Sequence, residues 1–136
     1  MSVLQKYAWF NLTVIVTTLV AGLALTPVLG KGALGCFGLF GLIGLGPFFL
    51  RSKEGQVVAD ERDLEIQRRS FVLAYSLFWV AYVLAAVLLS AAVYGQEGAV
   101  PVYIVQTSVF VGFMFVFGVA SIATLVQYGG ATQHAG

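Results

Sequence analysis

The sequence predicts an all-α integral membrane protein, a four-helix bundle built from two antiparallel hairpins. Of its 136 residues, 60% are hydrophobic and 10% are charged, whereas soluble domains carry about 25% charged residues. Four apolar stretches contain no Asp, Glu, Lys, Arg or His, and each is close to the roughly 20 residues that a helix needs to cross a bilayer. These predicted spans cover about residues 7–26, 32–50, 70–93 and 101–127 of a single transmembrane domain, 1–136.

Short connections join the predicted spans. Pro27 followed by Gly30 predicts a tight turn after the first span, and residues 94–100 predict a second turn before the fourth. Pro101 suits the first position of the fourth helix, where its missing N–H costs nothing. The last residues, 129–136, predict a disordered tail.

The basic residues predict the orientation of the chain. With four spans, Lys6 and the five basic residues of the loop at 51–69 lie on one side of the membrane, and only Lys31 lies on the other. Cytoplasmic loops carry an excess of Lys and Arg. The loop and both termini are therefore predicted to face the cytoplasm.

Spans three and four carry complementary patterns at steps of three and four residues. Aromatic residues occupy the cytoplasmic half of the third span and the outer half of the fourth, so in an antiparallel pair each aromatic half faces small residues. Such a stripe predicts a left-handed helix pair held by van der Waals fit, and an aromatic ligand cage is the alternative. The predicted helix-packing residues are Tyr75, Phe78, Tyr82, Phe110, Phe113, Phe117 and Ala120.

The second span carries a glycine at every third position. On an α-helix of about 3.6 residues per turn, a step of three drifts by about 60°, so the row predicts an oblique groove along the helix. Close packing against neighbouring helices is the interpretation that we favour, and a gating hinge is the alternative. The row consists of Gly32, Gly35, Gly38, Gly41 and Gly44.

The loop at 51–69 is the one strongly charged segment. Its acidic residues come early and its basic residues late, which suits a helix dipole, and Glu65 with Arg69 makes a favourable i, i+4 pair. We expect a helix that begins near Ala59 and continues into the third span. Its candidate partner-binding residues are Asp60, Glu61, Arg62, Asp63, Arg68 and Arg69.

Two other interpretations of this segment stay open. In the first it is a solvated extension of the third helix, whose arginines lie at lipid phosphates. In the second its three neighbouring carboxylates bind a hard cation, although Arg62 in their midst weakens such a site.

The residues of this segment also carry a resemblance. Two spans, the sequence Ala-Asp-Glu-Arg-Asp-Leu-Glu-Ile at 59–66, and two further spans resemble a family of small prokaryotic four-span membrane proteins of unknown function. Members carry an Asp-Glu-Arg-acidic-x-x-Ile motif at this place, which here is Asp60 to Asp63 and Ile66. The resemblance implies a multi-pass protein of the prokaryotic plasma (inner) membrane and supplies no reaction.

Composition narrows the function further. A net charge of +1 argues against a nucleic-acid partner, which requires a basic field. The single cysteine, Cys36, excludes an intramolecular disulfide, and the single histidine, His134, lies in the tail. Because no acid, base or nucleophile set converges within the spans, we expect no catalytic residue, metal site or cofactor.

Two functions remain. The favoured one is an accessory or interaction subunit that engages partners through the loop helix and its lipid-facing surfaces, as a homo-oligomer or as part of a membrane complex, with membrane lipids around it. The alternative is an oligomeric channel or small-solute transporter with the glycine-rich span at the path.

Overall fold

The computed structural model describes residues 2–49, 60–89, 91 and 100–133, and among these residues every regular element is helical. The elements are α1 (Val3–Leu29), a 3₁₀ segment (Gly30–Phe40), α2 (Gly41–Phe49), α3 (Glu61–Leu89) and α4 (Val102–Gln133). Three of them, α1, α3 and α4, are long and apolar enough to cross a membrane. The prediction of an all-α protein with apolar spans is confirmed.

Helix α1 begins and ends at well-defined caps. The Gln5 N–H donates to Ser2 Oγ at 3.2 Å, and the Ser2 N–H donates to Gln5 Oε1 at 2.9 Å, so two otherwise unpaired donors are satisfied. The predicted turn at Pro27 lies inside this helix, which continues to Leu29. Gly30, with a φ of 51°, ends it in a conformation that side chains with a Cβ rarely adopt.

The second apolar stretch is a 3₁₀ helix for eleven residues before α2 begins at Gly41. In a 3₁₀ helix, side chains three residues apart are eclipsed and lie in one row along the helix. Gly32, Gly35 and Gly38 occupy one such row, so it contains no side chains that could clash. The eclipsed geometry therefore causes little steric strain in this sequence. The glycines line one face instead of forming the oblique groove that the α-helical period predicts.

The other predicted helix boundaries differ from the observed ones at few positions. Helix α3 runs unbroken from the charged segment into the apolar stretch, as predicted. Helix α4 continues to Gln133, so residues 129–133, predicted as part of a disordered tail, are helical. The described residues do not include 50–59, most of the turn at 94–100 or the end of the chain at 134–136.

The helices pack around α4. Helix α3 packs chiefly against α4, α4 also packs against α1, and α1 packs against the 3₁₀ segment. One core cluster lies between α1, the 3₁₀ segment, α2 and α4 around Val14, Ile15, Phe40 and Ile43. A second cluster joins α3 to α4 around Ala74, Val116 and Ala120.

The contact face of α3 differs from the predicted stripe. Ser70 and Ala74 have no exposed surface, whereas Tyr75 and Tyr82 are 55% and 48% exposed. Small residues allow helix backbones to approach closely, and two tyrosines on that face would hold α4 away. Phe78 is shared by the predicted stripe and the observed contact, because it packs against the Ala74 cluster.

The aromatic half of α4 faces the 3₁₀ segment instead of α3. Phe110 stacks on Phe37 with ring centroids 4.8 Å apart, and Phe113 lies 5.8 Å from Phe40. Farther along α4, Phe117 meets Phe71 edge-on at 6.2 Å. The predicted partner for Phe110 and Phe113 was therefore wrong, since the second apolar segment presents matching rings.

Candidate functional site

The first turn of α3 is capped by the charged motif itself. The Asp63 N–H donates to Asp60 Oδ1 at 2.7 Å, which satisfies one of the unpaired donors at the start of the helix. Glu61 and Asp63 place negative charge in the first turn, where the helix dipole favours it. Asp60 is therefore an N-cap residue.

Hydrogen bonds tie this turn to the end of α4. The Tyr128 hydroxyl donates to Asp63 Oδ1, and Gln127 Nε2 donates to Ser70 Oγ at 3.0 Å. Ser70 is completely buried, so its bond is shielded from competition by solvent. The start of α3 and the end of α4 are thereby fixed to each other.

The motif also contributes to the core and to a surface ion pair. Ile66 is buried and holds this turn of α3 against the bundle. Arg69 bonds Glu65 across one helical turn, which confirms the predicted i, i+4 pair. Both partners are largely exposed, and such pairs contribute only a few tenths of a kcal/mol.

Three of the six candidate partner-binding residues remain free of these internal roles. Glu61, Arg62 and Arg68 are exposed, and no hydrogen bond or ion pair joins their side chains to another described residue. We call these three residues the exposed charged face. Asp60 and Asp63 lie together at the start of α3, and Arg69 forms an ion pair with Glu65.

The glycine row is open on the single chain. Beyond its chain neighbours and the backbone of its own helix, a Cβ built at Gly35, Gly38, Gly41 or Gly44 would meet no atom within 4 Å, and one at Gly32 would meet only Leu29 Cβ at 3.7 Å. The predicted close packing of this row is therefore not found within the protomer.

Close approach occurs at two other glycines. A Cβ at Gly46 would lie 3.1 Å from Tyr7 Cε1, and one at Gly112 would lie 2.9 Å from Phe78 Cε2. These glycines let α2 approach α1 and let α4 approach α3. Neither glycine belongs to the period-three row, so the repeat did not predict close helix contacts at these two positions.

A cavity of about 280 Å³ lies between the helices at the same end of the molecule as the charged motif. It is bounded by residues 4–11 of α1, residues 67–71 of α3, residues 117–124 of α4 and Ile43 of α2. Apart from Gln67, its polar lining residues, among them Asn11 and Ser121, lie within predicted spans. Polar residues inside apolar stretches are a sequence signal for such a site, but the sequence does not show that they converge.

Acidic residues of the motif do not gather into a metal site. Within the described ranges, no three His, Cys, Asp or Glu side chains lie close enough together to hold a metal ion. Asp60 and Asp63 are occupied as a helix cap and as the acceptor for Tyr128.

In the part of the chain that the structure describes, an all-helical fold with three long apolar helices and a charged segment at one end defines a helical membrane protein. More particularly, the chain belongs to the family described as "Predicted membrane protein (DUF2178)", whose model matches residues 5–124. The match spans the charged segment and at least part of every helix. Comparison with curated proteins found no match, and comparison with solved structures found none either. The family description names no reaction, ligand or partner.

Proposed function

We propose that this protein is a non-enzymatic accessory or interaction subunit of the prokaryotic plasma membrane. It engages a partner protein through the exposed charged face, Glu61, Arg62 and Arg68, and through its lipid-facing helix surfaces. The observation that supports this proposal most directly is that residues of the charged motif have two different kinds of role. Asp60, Asp63 and Ile66 have internal roles, whereas the exposed charged face has none among the described residues.

The proposal includes a four-span topology with both termini in the cytoplasm. The 3₁₀ segment has 11 residues and α2 has 9, and at rises of about 2.0 and 1.5 Å per residue they extend roughly 35 Å. The hydrocarbon core of a bilayer is about 30 Å thick. The second apolar stretch is therefore long enough to cross it, although few of its residues are α-helical.

Two hairpins are part of the same proposal. Contacts of Gly46 with Tyr7 and of Gln127 with Ser70 are those of oppositely directed neighbours. With this arrangement six of the seven basic residues lie at the proposed cytoplasmic end, and only Lys31 lies at the other. That distribution follows the positive-inside rule.

The non-enzymatic character rests on the chemistry of the chain. The four apolar stretches hold no titratable acid or base other than tyrosine and Cys36, and the single histidine is His134 near the end. Acid–base and nucleophilic catalysis need a convergent set of such groups. Recognition of a partner needs only the exposed charges and apolar surface that the chain has.

Native purification in mild detergent, with mass identification of the proteins that stay bound, tests this function. We expect the double variant Arg62→Glu, Arg68→Glu to lose about tenfold or more of the bound partner, which corresponds to about 1.4 kcal/mol. Reversing two interface charges turns attraction into repulsion. Lys31→Glu, in the 3₁₀ segment just after α1, is the control, because it reverses a charge outside the exposed charged face.

Two results would count against the proposal. One is retention of every partner at the wild-type level by the double variant. The other is an equal loss from Lys31→Glu, because it would assign the effect to net charge.

The channel or transporter alternative gains no support from the glycine row. None of the five glycines lines the cavity at the charged end, and the face that they form is open on the single chain. A second copy of the chain or another subunit packed on this face is part of the proposed interaction role.

A further inference from the structure

Five hydrogen-bonding side chains from three helices converge on the cavity at the charged end. Tyr7 and Asn11 come from α1, Gln67 from α3, and Ser121 and Thr124 from α4. Most of the α1 and α4 contact is apolar, so this concentration of polar groups is local. Gln67 is exposed and lines the cavity, which places the mouth of the cavity beside the charged turns of α3.

Ser121 is the most informative of the five. It is only 3% exposed, and no described residue receives or donates a hydrogen bond at its hydroxyl. The Thr124 hydroxyl, by contrast, donates to the Ala120 carbonyl at 2.8 Å, as serine and threonine ordinarily do in apolar helices. Ser121 has a buried polar atom that faces the cavity and lacks a partner among the described residues.

The Asn11 side chain adds further unmet hydrogen-bonding capacity. Its amide has two donors and an acceptor, and none of them is paired with a described residue. Buried polar groups in proteins are nearly always hydrogen-bonded to protein, to ordered water or to a ligand. The buried Ser121 hydroxyl therefore requires a hydrogen-bonding occupant in the cavity, water or a ligand, and the half-buried Asn11 amide lines the same space.

The lining indicates the charge of that occupant. It contains no carboxylate, ammonium or guanidinium group among the described residues, and the rings of Phe71 and Phe117 form part of its wall. An ion in such surroundings would lack a counter-charge and would be strongly disfavoured. The volume of about 280 Å³ is far above the roughly 10–15 Å³ that a cavity needs to hold one water molecule, so it also suits a neutral solute of several heavy atoms.

We propose that this cavity is a binding site for a small, neutral, hydrogen-bonding molecule that enters from the charged end of the bundle. Asn11 and Ser121 supply the recognising groups, Gln67 stands at the mouth, and the two phenylalanine rings pack against the apolar part of the ligand. The site is independent of the exposed charged face and of the proposed partner.

Alkylation by iodoacetamide, itself a small neutral amide, tests the site. Ser121→Cys and Ile122→Cys are each made in a Cys36→Ala chain and reconstituted in liposomes. The two positions lie at the same depth in α4, but Ile122 is 54% exposed on the outer surface. The thiolate displaces iodide and forms a thioether, and a thiol in contact with lipid does not ionise readily.

We expect the thiol of the Ser121→Cys variant, although buried, to react about tenfold or more faster than that of the Ile122→Cys variant, because only a thiol in contact with water reaches the thiolate state. We also expect the rate of the Ser121→Cys variant to saturate as iodoacetamide is increased, since binding precedes reaction: the thiol keeps a weak hydrogen-bonding group at this position, and Asn11 is unchanged. Adding Asn11→Leu should make that dependence linear. Both thiols should react fully after denaturation in detergent.

Either of two results would overturn the proposal. If the Ser121→Cys variant reacts as slowly as the Ile122→Cys variant, no water-connected cavity exists at this place. If the Ser121→Cys variant is fast but its rate rises linearly with iodoacetamide, the cavity is a hydrated crevice that binds no neutral solute.

Discussion

At the scale of residues, the charged motif has two kinds of member. Asp60, Asp63 and Ile66 hold the start of α3 in place, through a cap, a bond to Tyr128 and burial. Glu61 and Arg62 lie between Asp60 and Asp63 in the sequence but are exposed at the surface. A segment that is rigidly held yet presents charges without a partner in the described chain has the properties of a docking surface, because little conformational entropy is lost when it binds.

This division predicts different effects of neighbouring substitutions. Asp60→Ala removes the cap of α3 and should lower the free energy of unfolding by about 1 kcal/mol. Glu61→Ala, one residue away, removes an exposed carboxylate and should change it little. Unfolding in mild detergent, followed by circular dichroism, provides the comparison. Equal losses from the two variants would mean that the cap is not what stabilises this helix start.

Sequence reasoning reached only the local part of this site. The Glu65–Arg69 pair and the continuous helix depend on spacing along one helix, and both predictions are confirmed. The bond between Ser70 and Gln127 joins residues 57 positions apart. It depends on how α3 and α4 meet, which no local pattern specifies.

At the scale of elements, the second apolar stretch shows how a sequence period acts differently in different helices. A glycine at every third residue spirals around an α-helix but lines one face of a 3₁₀ helix, which has about 3.0 residues per turn. The period therefore matches the geometry of the 3₁₀ segment, which contains Gly32, Gly35 and Gly38, whereas Gly41 and Gly44 lie in α2. The prediction of an oblique groove was wrong because it assumed α-helical geometry throughout.

The contact faces between helices also differ from the predicted ones. The predicted stripe used the bulky residues of α3, whereas α4 contacts the face of Ser70 and Ala74. In lipid, apolar side chains gain little from leaving hydrocarbon, so close approach at small residues decides the contact. Hydrophobic periodicity alone cannot identify that face when every face is apolar.

A matched pair of glycine substitutions tests these element contacts. Gly112→Leu places side-chain atoms where a Cβ alone would lie 2.9 Å from Phe78 Cε2, and overpacking of this kind costs about 1–3 kcal/mol. Gly38→Leu adds the same side chain to the open face of the 3₁₀ segment and should leave the free energy of unfolding of the single chain nearly unchanged. Thermal unfolding in mild detergent measures both. A loss from Gly38→Leu equal to that from Gly112→Leu would contradict the contacts described.

At the scale of the whole molecule, much apolar surface remains uncovered. Helix α3 packs mainly on α4, and Trp79 and Tyr75 are each more than half exposed on its outer side. Soluble monomers rarely expose contiguous apolar surface of this extent. Such a surface is stable in contact with lipid hydrocarbon or with another membrane subunit.

The membrane class was predictable from the sequence because it depends on composition and on the length of apolar stretches, which are properties of the chain alone. The convergence of Asn11 with Ser121 on one cavity was not, because it requires α1 and α4 to be neighbours. Orientation and partners stay predictions.

Labelling from a defined side of the membrane tests the proposed orientation, on which the interaction role depends. Arg62→Cys and Val100→Cys, each in a Cys36→Ala chain, are exposed to a membrane-impermeant maleimide in right-side-out vesicles. We expect the Val100→Cys variant to be labelled at once and the Arg62→Cys variant only after the vesicles are permeabilised, because the charged end of the bundle faces the cytoplasm. Labelling of the Arg62→Cys variant in sealed vesicles, at the rate of the Val100→Cys variant, would contradict the proposed topology and the function built on it.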